Sequence, residues 1–459
     1  MPSKSDIEHL LRRTEYVARP ARVNRLRALP TIEDVVDNIL AVPTDPPSLT
    51  FTETENWRQG EELTHFWLDR MAHDSPRPIQ EKMSFFWHGH FCSEFNKVGS
   101  ALLMQEQIDT FRAGALGNLR TLARTMSTQV AMLRYLDNNQ NQQSSPNQNF
   151  ARELMELFLL GVGNYTEADV EAATAAWTGH TDQWDTDQYV WRPEWHDGST
   201  KRFLGRTINT GANPKQHGFD TINVILGNGR VPARASVVAN RGRPTREVAA
   251  EFLSKKLWVE FAGTEPPAAV IAAMRTAAIN GDFDIEPWLR VMLTHDAFYS
   301  TAVKQGRVRT PVEFVVASLV ALGMRSKNGT PLWLMRGMGQ RPLFPPNVSG
   351  WKHNGYWVNA SAMSKRTEVA RNMAWRSMSG YWSGDDLIHL AGGNISRTEV
   401  IEGYGELPIE LLDRFLELMR LTLTTSSHQA LGSLSTKMTR WERNALISLI
   451  LLAPDFHVA

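Results

Sequence analysis

From Pro78 to Asn138 the apolar residues stand three and four apart with little interruption, through "PIQEKMSFFWHGHF", "ALLMQEQIDTFRAGALGNLRTLARTMS" and "QVAMLRYLDN". That spacing lines one side of successive helices, and the period-two alternation of a strand is scarce. The pattern returns in "REVAAEFLSKKLWVEFAG", "EPWLRVMLTHDAFYS" and "TPVEFVVASLVALGM". The expected fold is mainly α: a large, irregular multi-helix domain with long Trp/Pro/Gly-rich loops and at most a small β-hairpin, at "RFLGRTINTG". Residues 1–365 read as the main helical domain, and 366–459 as C-terminal helices packing on the same body. Near the start, "DIEHLLRRTEYV" and "TIEDVVDNILAV" read as two helices around a proline turn, with Asp6 and Thr31 as N-caps.

Charge and cysteine content narrow the function classes. Lys+Arg and Asp+Glu are equal at 49 each, so no global field draws the chain to nucleic acid or an anionic membrane. The single cysteine, Cys92, excludes an internal disulfide framework and cysteine-rich metal sites. No apolar run approaches the roughly 20 residues of a membrane span. "MPSKSDIEHLLRRTEY" has no apolar core of a secretory signal, so the expected location is the cytoplasm, with export alongside a partner as the alternative. Fifteen tryptophans point to thick helical cores or stacking surfaces.

Four stretches carry candidate chemistry. "FFWHGHF" sets His88 and His90 two apart, which on a continuing helix points them about 200° from each other; they share a metal only if the helix ends at Gly89. In "NQNFARELMELFLLG", Phe150, Leu154, Leu157 and Phe158 form a core face with Glu153 at its edge. A carboxylate there needs a partner or a raised pKa, and Glu153 with Glu156 makes an i, i+3 pair able to clamp a metal. Arg152, four before Glu156, is a ready ion-pair partner for it. Thr166 and Asp169 read as a capping box, with Glu167 in the first turn of the next helix.

"EWHDGSTKRFLG" holds His196, Asp197 and Lys201 in a loop, where an Asx-turn is the bland reading, and His180 follows "AAWTG". "FPPNVSGWKHNGYW" offers Asn347, Trp351, Tyr356 and Trp357 on a stiff backbone, either to stack sugar rings or to pin the loop down. "GNGRVPARASVVANRGRPTR" carries five arginines, read as a solvated loop or an arm for an anionic ligand. Motifs for a nucleophile elbow, a phosphate loop, a dinucleotide fold or a zincin are absent.

"HLLRR", "EKMSFFWHGHF", "AMLRYLDN", "NQNFARELMELFLLGVGNYTEADVEAA", "HDGSTKRFLG" and "GQRPLFPPNVSGW", in this order, resemble a bacterial family catalogued only as domain of unknown function 1800. The resemblance covers nearly the whole chain and implies a largely helical fold, with no established reaction. It also implies frequent export and a neighbouring sulfatase-like partner protein. Two departures stand out: Gln148 replaces the family's usual glutamate, and His180 stands where tryptophan is usual.

The functional expectation is a hydrolase with Glu153, Glu156, His196 and Asp197 as catalytic groups. One divalent metal on His88, His90 and Glu153 is the metal-assisted version. The substrate would be a polysaccharide or cell-envelope glycan gripped by Asn347, Trp351, Tyr356 and Trp357. The alternative is a non-catalytic scaffold, or an export and assembly partner of the sulfatase-like protein.

Overall fold

A computed structural model describes residues 1–43, 46–208, 213–330, 332–378, 408–419, 421–434 and 440–458. The chain opens with α1 (Lys4–Glu15), α2 (Pro20–Arg27), α3 (Ile32–Leu40), α4 (Asn56–Asp69) and α5 (Pro78–His90), and the described residues after them are mainly helical. Thr31 caps α3 in a full capping box with Asp34. Ser3, not Asp6, caps α1: its hydroxyl accepts the Asp6 N–H at 3.0 Å, placing Asp6 inside the first turn. The expected proline turn between the two helices is itself helical, because Pro20 at the first position of α2 is preset for helix.

Among the described residues the strands form two antiparallel pairs, β1 (His180–Gln183) with β2 (Gln188–Trp191) and β3 (Lys201–Phe203) with β4 (Arg206–Ile208). The second is the hairpin expected at "RFLGRTINTG". The first is an addition: its turn uses Asp187 at φ 55° instead of glycine, so the usual hairpin signal is missing from the sequence.

Two apolar clusters fill the interior. One joins α1 and α3 to the helices Glu167–Trp177, Thr245–Ala262 and Ile285–Thr294. The other joins α4 to Ala101–Ala113 and Pro311–Leu322, and includes Leu412, Phe415, Leu446 and Ile450 near the carboxyl end. Helix α5 feeds both, with Met83, Phe86 and Trp87 in the first and Phe85 in the second. All of α5 except Gly89 is buried. Among the described residues six tryptophans, including Trp67, Trp87 and Trp177, are fully enclosed in thick cores, while Trp57, Trp184, Trp333 and Trp375 are exposed.

A helix buried all round must satisfy its polar groups inside the protein. Glu81 of α5 receives Arg70 at 3.0 Å and Arg112 at 3.0 Å. Lys82 donates to Glu260 at 2.7 Å and to Glu313, and Arg307 also pairs with both glutamates, at 3.2 and 2.7 Å.

Candidate functional site

The helix that begins at Asn149 does not stay α-helical. After Glu153 it widens into a π-helix over Leu154–Leu159, and the N–H groups of Leu160 and Gly161 both reach the Met155 carbonyl at 2.9 Å. The wider turn rotates every later side chain, so Met155 and Leu159 are as buried as Leu154 and Phe158. Segments of this kind are rare and concentrate at functional sites.

Carbonyls in a last turn lack partners further along their own helix. Here Lys256 Nζ donates to the Leu157 carbonyl and His90 Nε2 to the Phe158 carbonyl, each at 2.8 Å. With Nε2 donating, His90 Nδ1 is the acceptor for Lys256 Nζ at 3.2 Å, so the ring is neutral. Burial, followed by the Lys256 charge, holds His90 well below the usual imidazole range. Burial pushes the Lys256 ammonium down to about 8, against the opposing influence of Cys92. Cys92 is not the charged partner of that amine. Its Sγ donates to the Gly89 carbonyl at 3.1 Å, and burial pushes the thiol up to about 12.

Glu153 lies one turn before Leu157 and is half-buried. Its Oε2 is enclosed with no hydrogen-bond partner among the described residues. Burial raises the carboxyl pKa, Glu156 raises it further, and Arg152 opposes both. The Tyr135 phenol is raised mainly by burial, then by Cys92, Glu94 and Glu153. Cys92 thus acts on both Lys256 and Tyr135, and Glu153 acts on Tyr135. Arg152 does not take Glu156, as its spacing suggested: it forks onto Glu167 at 3.0 and 2.8 Å, while Glu156 accepts the Tyr165 hydroxyl. Asp169 completes the Thr166 capping box and also accepts the Leu204 N–H at 2.8 Å.

His88 and His90 diverge because α5 continues through both. His88 lies among Trp67 and Trp351, accepts the Leu343 N–H at 3.2 Å, and is pushed down to about 3 by burial. His90 lies against Phe86 and Phe158. Among the described residues no three His, Cys, Asp or Glu side chains are grouped to hold a metal ion. The donor set His88, His90 and Glu153 does not fit a divalent ion.

His196 and Asp197 are not joined to Glu153 by any hydrogen bond or ion pair among the described residues. His196 contacts the Thr178 carbonyl through Nδ1 at 2.9 Å and His217 Nδ1 through Nε2 at 2.8 Å. Asp197 makes the Asx-turn, accepting the Ser199 N–H at 2.7 Å, and faces a cleft of about 470 Å³ shared with Gln143, Gln148, Thr178 and Lys201. His180 packs between Trp177 and Trp191, where an aromatic ring fits.

The "NVSGW" loop packs against α5. Gly350, at φ 76°, comes so close to Gly89 that a Cβ would stand 2.1 Å from the Gly89 carbonyl oxygen. Trp351 stacks on Phe85 at 5.0 Å and 15°, and Trp357 is 1% exposed, so neither is an open platform for a sugar. Asn347 accepts the Ser349 N–H at 2.9 Å and Tyr356 is exposed. Lys256 and Tyr135 were not singled out from the sequence. The one available signal is period: Lys256 falls on the inward side of "FLSKKLWVEF", whereas Lys255 points to solvent.

No curated protein and no solved structure matches the chain. The family model for the protein of unknown function DUF1800 matches residues 9–458, spanning the π-helix, α5, Lys256 and the Gly350 loop alike, and the chain belongs to that family.

Proposed function

We propose that this chain is a hydrolase whose acid–base chemistry centres on Glu153 and Lys256, acting on a polysaccharide or cell-envelope glycan. The carrying observation is the enclosed, unpartnered Oε2 of Glu153, a carboxyl held above its ordinary pKa and one turn from the carbonyl that binds Lys256. A raised carboxyl holds its proton to higher pH than a free one, which favours its giving that proton to a leaving oxygen. An amine brought to about 8 is partly neutral near pH 7 and able to take one from water. The cleft at Asp197 would hold the substrate, since its amide, hydroxyl and charged groups suit sugar hydroxyls. Gln148 lines that cleft roughly one and a half helical turns before Glu153.

The test is release of reducing ends from a panel of neutral and acidic polysaccharides and from cell-wall glycan. Glu153→Gln and Lys256→Met are each expected to lose about 100-fold or more of the rate. Full activity in Glu153→Gln would refute the assignment. A non-catalytic scaffold, or an assembly partner of a sulfatase-like protein, is the second reading. It draws on α5, buried except at Gly89, and on Trp351 and Trp357, which serve the core. No release from any glycan, with stable co-purification of such a partner, would favour it.

A further inference from the structure

The five arginines of "GNGRVPARASVVANRGRPTR" divide by what they touch. Arg243 is neutralised by Glu251 at 2.7 Å and Glu247 at 3.6 Å, and Arg241 donates to the Ala235 carbonyl at 2.9 Å. Arg230 and Arg246 instead line a cleft of about 720 Å³, together with Arg206 from β4. Arg206 donates to the Asn228 carbonyl at 2.7 Å and Arg230 to the Gly242 carbonyl at 2.9 Å, contacts that use one donor each and cancel no charge. Arg246 has no side-chain hydrogen bond or ion pair among the described residues. Of the described residues lining the cleft, the only carboxylate is Asp220, whose Oδ1 takes Asn223 Nδ2 at 3.3 Å.

Three guanidinium groups from three segments thus converge on one concavity against a single carboxylate, in a chain whose charges otherwise balance. Like charges gathered in this way repel, and a bound anion relieves that repulsion while using the free N–H forks. The volume lies in the range of small-molecule sites and exceeds what one inorganic oxyanion fills. We propose that this cleft binds a tetrahedral oxyanion ester, a phosphate or sulfate carried on a sugar-sized group. The Arg206, Arg230 and Arg246 side chains grip the anion, and the amides of Asn223 and Asn228 meet the hydroxyls. The site is separate from Glu153 and does not depend on the hydrolase reading.

The test is calorimetric titration of the full chain at low salt with glucose 6-phosphate, glucose 6-sulfate and glucose. Saturable binding of either charged sugar, with none of glucose, supports the site; which of the two binds tells phosphate from sulfate. The double variant Arg206→Ala/Arg246→Ala is expected to weaken binding at least tenfold. Arg234→Ala, an exposed arginine of the same loop outside the cleft, is expected to leave binding unchanged. All three arginines of the cleft are exposed, so melting curves should match the parent and separate lost binding from lost folding. Binding of neither charged sugar, equal binding of glucose, or an equal loss in Arg234→Ala would overturn the proposal.

Discussion

Lys256 Nζ lies 2.8 Å from the carbonyl oxygen of Leu157, so an amine from one helix holds the open end of the π-helix that follows Glu153. The contact favours the charged amine, as cations do at helix C-termini. Burial outweighs it and brings the pKa to about 8. A lysine with a lowered folded pKa penalises folding while charged, and the penalty fades as pH rises past the folded value. The parent should therefore gain stability between pH 8 and about 10 relative to Lys256→Met, read from paired denaturant titrations across that range.

Glu153 gives the opposite sign. Its raised carboxyl pKa contributes stability that is full below the unfolded value and lost as pH rises through the folded one. Because Oε2 has no partner to lose, Glu153→Gln should melt at or above the parent temperature at pH 7, and its stability should change less between pH 4 and 7. A marked drop in melting temperature would mean that Glu153 is a structural anchor instead.

The Lys82 network makes a third case. Arg307 and Lys82 hold Glu313 down to about 2 although burial acts the other way, so the stability it contributes is present above about 4.5 and lost as pH falls toward 2. Glu313→Gln should flatten the acid limb of the unfolding curve. Lys82→Met leaves the buried Glu260 and Glu313 to share Arg307, with His353 3.5 Å from Glu260 and the Thr310 N–H on Glu313 as their other contacts, and a loss of about 3–5 kcal/mol is expected from chemical denaturation.

Two neighbouring glycines should respond differently. Gly350→Ala forces a Cβ onto the Gly89 carbonyl at a positive φ, and a loss of about 1–3 kcal/mol or more is expected as the loop lifts from α5. At Gly89 the added Cβ would meet Trp351 Cε3 at 3.4 Å, an ordinary contact, inside a helix that favours alanine by about 1 kcal/mol. Gly89→Ala should therefore lie within about 1 kcal/mol of the parent, as paired denaturant titrations of the two variants and the parent would show.

The helices, the Thr31 and Thr166 caps and the Arg206 hairpin were legible because each depends on residues a few positions apart. Apolar spacing and cap chemistry act within one or two turns, so a single stretch carries the whole signal. The divergence of His88 and His90 followed from spacing once α5 was known to run through both. The Glu153 edge was legible only in outline, since a wheel drawn at 100° per residue fails where the helix widens after Glu153. Only the tertiary structure set Lys256 against His90, 166 positions away in the chain, and Gly350 against Gly89. It also turned Trp351 and Trp357 inward and left Arg206, Arg230 and Arg246 around one cleft. Such meetings depend on how whole helices and loops pack, and desolvation at those contacts, more than residue type, decides which amine loses its proton and which carboxyl keeps one.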